Sequence, residues 1–229
     1  TFYDVVVLIP DAVFASFDSA INVHYMVYAS TVPTDDVLGR YADCVQALGL
    51  EPTDILVRLT GDCPLLCPFL LEDVLCAWHN YTPPLDYYGM GPGWPDGLGD
   101  IDVCTVEALL DANKKAMTAS DRVHFSPYLW NHPKMYRQAL YTLPADMVGK
   151  RWPKFSVDTL ADFDYVEGVA RAMMQKHGEY WNWREVLALV SRQPKLMRPA
   201  EPMNESFLRE IGTDKSWDEI RYGQKNMAG

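Results

Sequence analysis

The sequence lacks several features that mark membrane, nucleic-acid-binding and disulfide-rich proteins. Among its 229 residues, no apolar run approaches the roughly 20 residues that a membrane-spanning helix needs. Acidic residues outnumber basic ones by 31 to 20, which gives a formal net charge of -11. Nucleic-acid binding needs clustered Lys and Arg, so we expect neither a nucleic-acid nor a membrane partner. A small phosphorylated ligand stays compatible with this charge, because it needs only a few local cations.

Cysteine is also scarce, and its spacing is uninformative about metals. The five cysteines are an odd number, and Cys63 and Cys67 are four apart rather than at the usual zinc-knuckle spacing. They are either reduced thiols that fill apolar gaps or part of a metal cluster, and we favour the thiols. Reduced thiols are typical of a reducing compartment, which predicts a cytoplasmic protein.

Strand-like and helix-like segments alternate along most of the chain. Apolar or alternating runs predict strands at 4–11, 21–29, 54–62, 101–106, 136–144 and 154–159. Helical spacing is found near 37–48, 67–81, 107–117, 120–133, 160–178 and 181–192. This alternation predicts an α/β fold with a mainly parallel sheet. We expect one domain over residues 1–190, with a loop excursion at 85–105, followed by a C-terminal extension over 191–229.

Two aspartates follow predicted strands and are candidate metal ligands. Asp62 ends the run ILVRLTGD, and Asp158 ends the run KFSVD. Ligands of open α/β sheets lie beyond the carboxyl ends of the strands, and a pair of carboxylates suits Mg²⁺. Each aspartate also has a plainer interpretation. The dipeptide GD is a common turn, and Thr159 and Asp162 have the spacing of a capping box that opens a helix.

Five separated motifs occur in one order: DDVLGRY, VRLTGDCPLL, WPDGLGDIDV, SDRVHFSPYLWNHP and FSVDTLADFDYV. Together they resemble the cytidylyltransferase family of the spore-coat-polysaccharide type, which is related to the synthetases of CMP-activated acidic sugars. The resemblance covers roughly residues 32–174. It implies a doubly wound, mainly parallel, Rossmann-like nucleotidyltransferase sheet and a homodimer, since members of the family are commonly dimers. It also implies transfer of CMP from CTP to a sugar or sugar acid with release of pyrophosphate.

The resemblance also implies roles for individual residues. Asp62 and Asp158 would be catalytic and would hold Mg²⁺ against the triphosphate. The remaining assignments are Arg40, Arg58 and Lys154 for the nucleotide phosphates and Asp96, Arg122 and His124 for the substrate. Two of these have alternatives: Arg58 fits a solvated strand face equally well, and His124 fits a structural histidine.

The chain departs from the family pattern in three places. Lys154 stands where the family has an arginine, which keeps the charge and loses the bidentate fork. The run PDGLGDIDV carries an additional glycine. The family's opening strand and its Gly-, Arg- and Lys-bearing loop have no counterpart, since residues 1–57 contain a single basic residue, Arg40. We therefore expect either a longer natural chain or recruitment of the first strand to that role. Without the central strand, the sheet should have a gap between unpaired edges.

Three functions remain open at this point. The first is an Mg²⁺-dependent sugar cytidylyltransferase of surface-polysaccharide synthesis, which the two aspartates favour. The second is a non-catalytic binding or assembly module, which the scarcity of N-terminal cations favours. The third is a nucleotidyltransferase that uses another nucleotide or a non-sugar acceptor.

Overall fold

The computed structural model describes residues 5–10, 26–91, 93–148, 150, 152–178 and 180–196. The strands in this part of the chain are β1 (Val6–Pro10), β2 (Met26–Ser30), β3 (Ile55–Leu59), β4 (Tyr87–Met90), β5 (Ile101–Thr105) and β6 (Gln138–Tyr141). The helices are α1 (Val37–Ala47), α2 (Pro68–Asn80), α3 (Val106–Lys115), α4 (Ala119–Arg122), α5 (Pro127–Asn131), α6 (Leu160–His177) and α7 (Trp183–Arg192). None of the described helices has the length and apolarity needed to cross a membrane.

The predicted α/β class is confirmed, and the strands pair in both directions. Strands β1 and β2 form a parallel pair. The other four form a sheet in the order β3-β5-β4-β6, in which β4 and β6 are parallel. Strand β5 is antiparallel to both of its neighbours. The described strands therefore include both parallel and antiparallel pairs.

The strands that the structure describes form two separate sheets. Within the described residues, β1 pairs only with β2 and β3 only with β5, so each has one edge without a strand partner. Helix α1 packs against β1 and β2 and also against α3. Among the described residues, the two sheets are therefore linked through a helix rather than through shared strand pairing.

Helices cover both faces of the four-stranded sheet. Successive side chains of a strand point to opposite faces, and β5 follows this rule. Its Ile101 and Val103 belong to one buried cluster, together with α2, α6 and α7. Its Cys104 belongs to a second buried cluster, together with α1, α3 and α5. A sheet with helices on both faces agrees with the predicted doubly wound arrangement.

The region predicted as one helix over 120–133 contains two short ones instead. Thr118 caps α4, because its hydroxyl oxygen accepts a hydrogen bond from the Asp121 amide. Pro127 is the first residue of α5, a position where the missing proline N–H has no cost. The predicted loop over 85–100 also contains strand β4.

The last predicted strand, over 154–159, is wrong. Residues 152–158 lie outside the described strands and form hydrogen bonds with two loops instead. Both loops contain residues singled out from the sequence, and their contacts with this segment define the candidate site. The predicted domain end at residue 190 falls within α7, and residues 197–229 of the predicted extension lie outside the described residues.

Gly97 is the position at which the loop after β4 approaches this segment most tightly. Its φ is +81°, and an added Cβ would lie 2.3 Å from the Phe155 carbonyl carbon and 2.3 Å from the Ser156 nitrogen. Both neighbours are backbone atoms, so they cannot move aside as a flexible side chain would.

We therefore expect Gly97→Ala to lower the free energy of unfolding by about 1–3 kcal/mol. The matched control is Gly168→Ala in α6, where an added Cβ meets nothing within 4 Å. That change should raise the free energy of unfolding by about 0.5–1 kcal/mol, since alanine favours a helix. Urea unfolding of both variants measures the difference, and equal effects would contradict this account of Gly97.

Candidate functional site

The segment 155–158 lies between two loops that carry the predicted site aspartates. The Phe155 amide donates a hydrogen bond of 2.9 Å to the Asp96 carbonyl oxygen. Two residues later, the Val157 amide donates one of 2.8 Å to the Asp62 carbonyl oxygen. Asp158 follows immediately, so the backbone brings Asp62, Asp96 and Asp158 to one place.

Asp62 belongs to the turn after β3, and its side chain is exposed. The predicted turn interpretation is therefore correct for the backbone. The carboxylate has one described contact, with the thiol of Cys63 at 3.5 Å. Burial, reinforced by the charges of Asp100 and Asp62, raises the pKa of the Cys63 thiol, which keeps it protonated. The Asp62 carboxylate is thus directed toward solvent beside a neutral thiol.

Asp158 lies directly before the cap of α6. The predicted capping box is present, because the Thr159 hydroxyl oxygen accepts from the Asp162 amide and the Asp162 carboxylate accepts from the Thr159 amide. The Asp158 carboxylate is not a member of this box, and 60 % of its side chain is exposed. Thr159 and Asp162 cap the helix, so the Asp158 carboxylate stays available to a ligand.

Lys154 supplies positive charge at this position. Its ammonium contacts the Asp158 carboxylate directly and lies 3.5 Å from the Asp162 carboxylate. Partial burial lowers the pKa of Lys154, but the hydrogen bond and charge of Asp158 and the charge of Asp162 outweigh it, so the net pKa is raised. A cation already lies against one of the two predicted metal ligands.

Asp96 and Asp100, in the loop after β4, add negative charge near the segment. The Ser156 hydroxyl donates a hydrogen bond to the half-buried Asp96 carboxylate. The Asp100 carboxylate accepts one of 2.7 Å from the Gly97 amide. Burial, followed by repulsion from Asp96, raises the pKa of Asp100 to about 6, although the Gly97 amide and Arg58 act in the opposite direction.

Arg58 is engaged within the protein rather than pointing into water. Its Nη1 donates to the Asp102 carboxylate at 2.9 Å, and the Tyr87 hydroxyl donates to the same carboxylate. Only 19 % of the Arg58 side chain is exposed, which excludes a solvated strand face. Burial alone would lower the pKa of Arg58, but the charge of Asp102 raises it, so the guanidinium stays charged. The predicted contact of Arg58 with phosphate remains a prediction.

The structure places Arg122 and Arg40 at the start of α1 rather than beside residues 155–158. Arg122 donates through Nε and Nη2 to both carboxylate oxygens of Asp36, the N-cap of α1, at 3.0 and 2.8 Å. Its other hydrogen bonds go to Asn113 and to the Ala116 carbonyl oxygen. Arg40 donates to backbone carbonyls just before α1. These contacts explain both arginines without a ligand, so their predicted binding roles stay predictions.

His124 is half-buried between α4 and α5. Its predicted role in substrate binding stays a prediction. All five cysteines are free thiols, and four of them are buried. The interpretation of the cysteines as packing residues agrees with this arrangement.

The residues at the segment fit a magnesium ion that keeps much of its water. Mg²⁺ is typically bound by one or two carboxylates, with waters and substrate phosphates as the other ligands. Asp62 and Asp158 supply two exposed carboxylates from adjoining backbone, and the Lys154 ammonium on Asp158 shows that a cation is accommodated there. Within the described part of the chain, no group of three or more His, Cys, Asp or Glu could hold a metal by itself. The donor set therefore suits a hydrated ion rather than a metal enclosed by protein ligands.

Comparison with known proteins supports the resemblance drawn from the motifs. The spore coat polysaccharide biosynthesis protein SpsF of Bacillus subtilis is 26% identical over 162 residues, which are 69% of this chain and 62% of that protein. An uncharacterized protein of Methanocaldococcus jannaschii is 26% identical over 181 residues, or 77% of this chain and 68% of that protein. A cytidylyltransferase structure from Leptospira borgpetersenii superposes with a TM-score of 0.64 at 18% identity, covering 79% of this chain and 71% of that one.

The predicted resemblance to the cytidylyltransferase family is confirmed. The structural likeness shows that the chain has the cytidylyltransferase fold. No family model matches the sequence. The chain spans 62% of the length of SpsF. Its activity, substrates and partners are therefore proposed below.

Sequence reasoning missed several residues that hold the candidate site together. Ser156 and Asp100 were not singled out, although both lie within quoted motifs. Asp162 was noted only for its capping spacing, yet its carboxylate also accepts from the Asp158 amide at 3.3 Å. The spacing between Thr159 and Asp162 was the available signal, but it carries no information about Lys154.

Asp100 makes stability depend on pH in a defined direction. Its folded pKa of about 6 exceeds the ordinary value of 3.8, so the folded protein retains a proton that the unfolded chain loses. The contribution of protonated Asp100 to the free energy of unfolding is fully present below about pH 4. It is lost as the pH rises through about 6. We expect Asp100→Asn to abolish this loss and to stabilise the protein at pH 7 by on the order of 1–2 kcal/mol.

Urea unfolding between pH 4 and pH 7 checks the effect of Asp100. The control is Asp164→Asn, the same charge change at an exposed position of α6. Asp164→Asn should keep the wild-type pH profile. A profile for Asp100→Asn that matches the wild type would show that Asp100 has no raised pKa.

Arg122 should behave as a structural residue. Arg122→Lys removes the fork that holds both oxygens of Asp36, so we expect a loss of about 1–2 kcal/mol in the free energy of unfolding. The control is Arg171→Lys, which alters an exposed pair with Glu167 on α6 and should change stability by less than about 0.5 kcal/mol. An Arg122→Lys variant of unchanged stability would instead favour the predicted role in anion binding.

Proposed function

We propose that the protein is an Mg²⁺-dependent sugar nucleotidyltransferase that transfers CMP from CTP to a sugar or sugar acid in surface-polysaccharide synthesis. The observation that carries the proposal is the hydrogen bond between Val157 and Asp62, which brings the exposed carboxylates of Asp62 and Asp158 to one place. The cytidylyltransferase fold and the similarity to SpsF support the same reaction class.

In this proposal a sugar oxygen attacks the α-phosphorus of CTP, and the bond to the β-phosphate breaks to release pyrophosphate. A bound Mg²⁺ would neutralise phosphate charge and align the attacking and leaving oxygens. Asp62 and Asp158 would hold the ion from adjoining backbone. Lys154 lies close enough to Asp158 to contact a phosphate oxygen near the ion. The protein thus contributes mainly positioning and electrostatic stabilisation.

Asp96 suits the acceptor side of the site. The hydrogen bonds from Phe155 and Ser156 hold its backbone and its carboxylate against the segment that precedes Asp158. A carboxylate in this place can accept hydrogen bonds from sugar hydroxyl groups. We further propose a cytoplasmic location and a homodimer, on the basis of the family resemblance and the free thiols.

One observation favours a second function, that of a non-catalytic binding or assembly module. The cations assigned to the nucleotide phosphates all have partners within the protein: Arg58 has Asp102, Lys154 has Asp158, and Arg40 has backbone carbonyls. A triphosphate needs cations and backbone N–H groups that are available to it. Binding of CTP without turnover, or no binding, would identify this second function.

Release of pyrophosphate from CTP in the presence of Mg²⁺ and a panel of sugars and sugar acids tests the proposal. Asp62→Ala and Asp158→Ala should each lower kcat by about 100-fold or more, because each removes charge from the reacting phosphates. Both side chains are exposed, so the variants should unfold at nearly the wild-type temperature. The control Asp164→Ala removes an exposed carboxylate of α6 and should keep full activity. Wild-type turnover in both site variants would exclude this site.

A further inference from the structure

The Lys154 ammonium lies between two carboxylates that differ in their surroundings. It contacts Asp158, whose side chain is 60 % exposed, and lies 3.5 Å from Asp162, whose side chain is 3 % exposed. Lys154 itself is 21 % exposed. The ammonium therefore sits at the boundary between the cap of α6 and the solvent-facing side of the site.

The hydrogen bonds of Asp162 in the cap of α6 do not involve Lys154. Its Oδ2 accepts from the amide and the hydroxyl of Thr159, each at 2.9 Å, and from the Asp158 amide at 3.3 Å. These donors satisfy a buried carboxylate oxygen. Removal of the Lys154 charge should therefore leave the turn that presents Asp158 intact.

The Asp158 carboxylate, by contrast, is not part of the capping box of α6. Its amide is held by Asp162, while its carboxylate reaches outward and meets the Lys154 ammonium. A divalent cation and this ammonium would compete for the same carboxylate oxygens, because their positive charges repel each other. The long, flexible lysine stem allows the ammonium to move to a new partner without moving the backbone.

We propose that Lys154 is an internal counter-ion that competes with the divalent cation for Asp158 and transfers to the nucleotide phosphates once the cation is bound. The inference rests on the proposed function, because it takes Asp158 as a metal ligand. It assigns Lys154 two opposite effects: it weakens binding of the cation alone, and it strengthens binding of polyphosphate with the cation.

Binding of Mn²⁺ to the full chain without nucleotide, followed by electron paramagnetic resonance, tests the first effect. Lys154→Met should tighten Mn²⁺ binding about three- to tenfold, with the gain shrinking at high salt. Lys154→Arg keeps the charge and should stay within about twofold of the wild type. The matched control is Lys176→Met, which makes the same charge change in the last turn of α6, far along the helix from Asp158, and should leave the affinity unchanged.

Binding of inorganic tripolyphosphate at saturating Mg²⁺ tests the second effect without depending on the nucleotide base. Here Lys154→Met should weaken binding about three- to tenfold, opposite in sign to its effect on Mn²⁺, and Lys154→Arg should restore it. A purely structural role for Lys154 would move both affinities in the same direction and would lower the unfolding temperature.

Asp158→Asn separates failure of the inference from failure of the proposed function. If Asp158→Asn weakens Mn²⁺ binding while Lys154→Met leaves it unchanged, the counter-ion role is wrong and the metal site stands. If Asp158→Asn binds Mn²⁺ as the wild type does, Asp158 is not a metal ligand, and both the proposed metal site and the counter-ion role of Lys154 are wrong.

Discussion

Two backbone hydrogen bonds, one from Phe155 to Asp96 and one from Val157 to Asp62, hold the candidate site together. They join a turn after β3, a loop after β4 and the segment before α6, which are far apart in sequence. Because the bonds use main-chain atoms, the carboxylates of Asp62 and Asp158 stay exposed. Gly97 completes this arrangement, since its backbone packs where any side chain would collide with residues 155 and 156.

Excess negative charge is the second constraint on this site. Asp96 and Asp100 repel each other across the loop, and burial of Asp100 strengthens the effect. Among the residues that the structure describes, two cations near these carboxylates are already paired, Arg58 with Asp102 and Lys154 with Asp158. An anionic nucleotide would meet a repulsive surface unless additional positive charge came with it. A bound divalent cation would supply that charge, so the electrostatics of the site agree with the proposed metal-assisted transfer.

The surrounding fold keeps this site in place although the sheet is divided. Helices on both faces of β5 bury separate apolar clusters, and α1 links the two sheets. The fork between Arg122 and Asp36 fixes the start of α1 against the region between α3 and α4. The arginines near α1 thus stabilise the scaffold, while the acidic residues near α6 form the candidate site.

The sequence alone determined the α/β class and most element positions, and it indicated Asp62 and Asp158 as candidate site residues, because apolar periodicity and five ordered motifs are local or collinear signals. It misjudged residues 154–159 as a strand, since extended backbone looks the same in sequence whether it pairs with a strand or with loops. Only the tertiary structure decided which charges meet. The pairing of Arg58 with Asp102 and the position of Lys154 between two carboxylates depend on chain crossings and on side-chain direction, and residue spacing does not encode either.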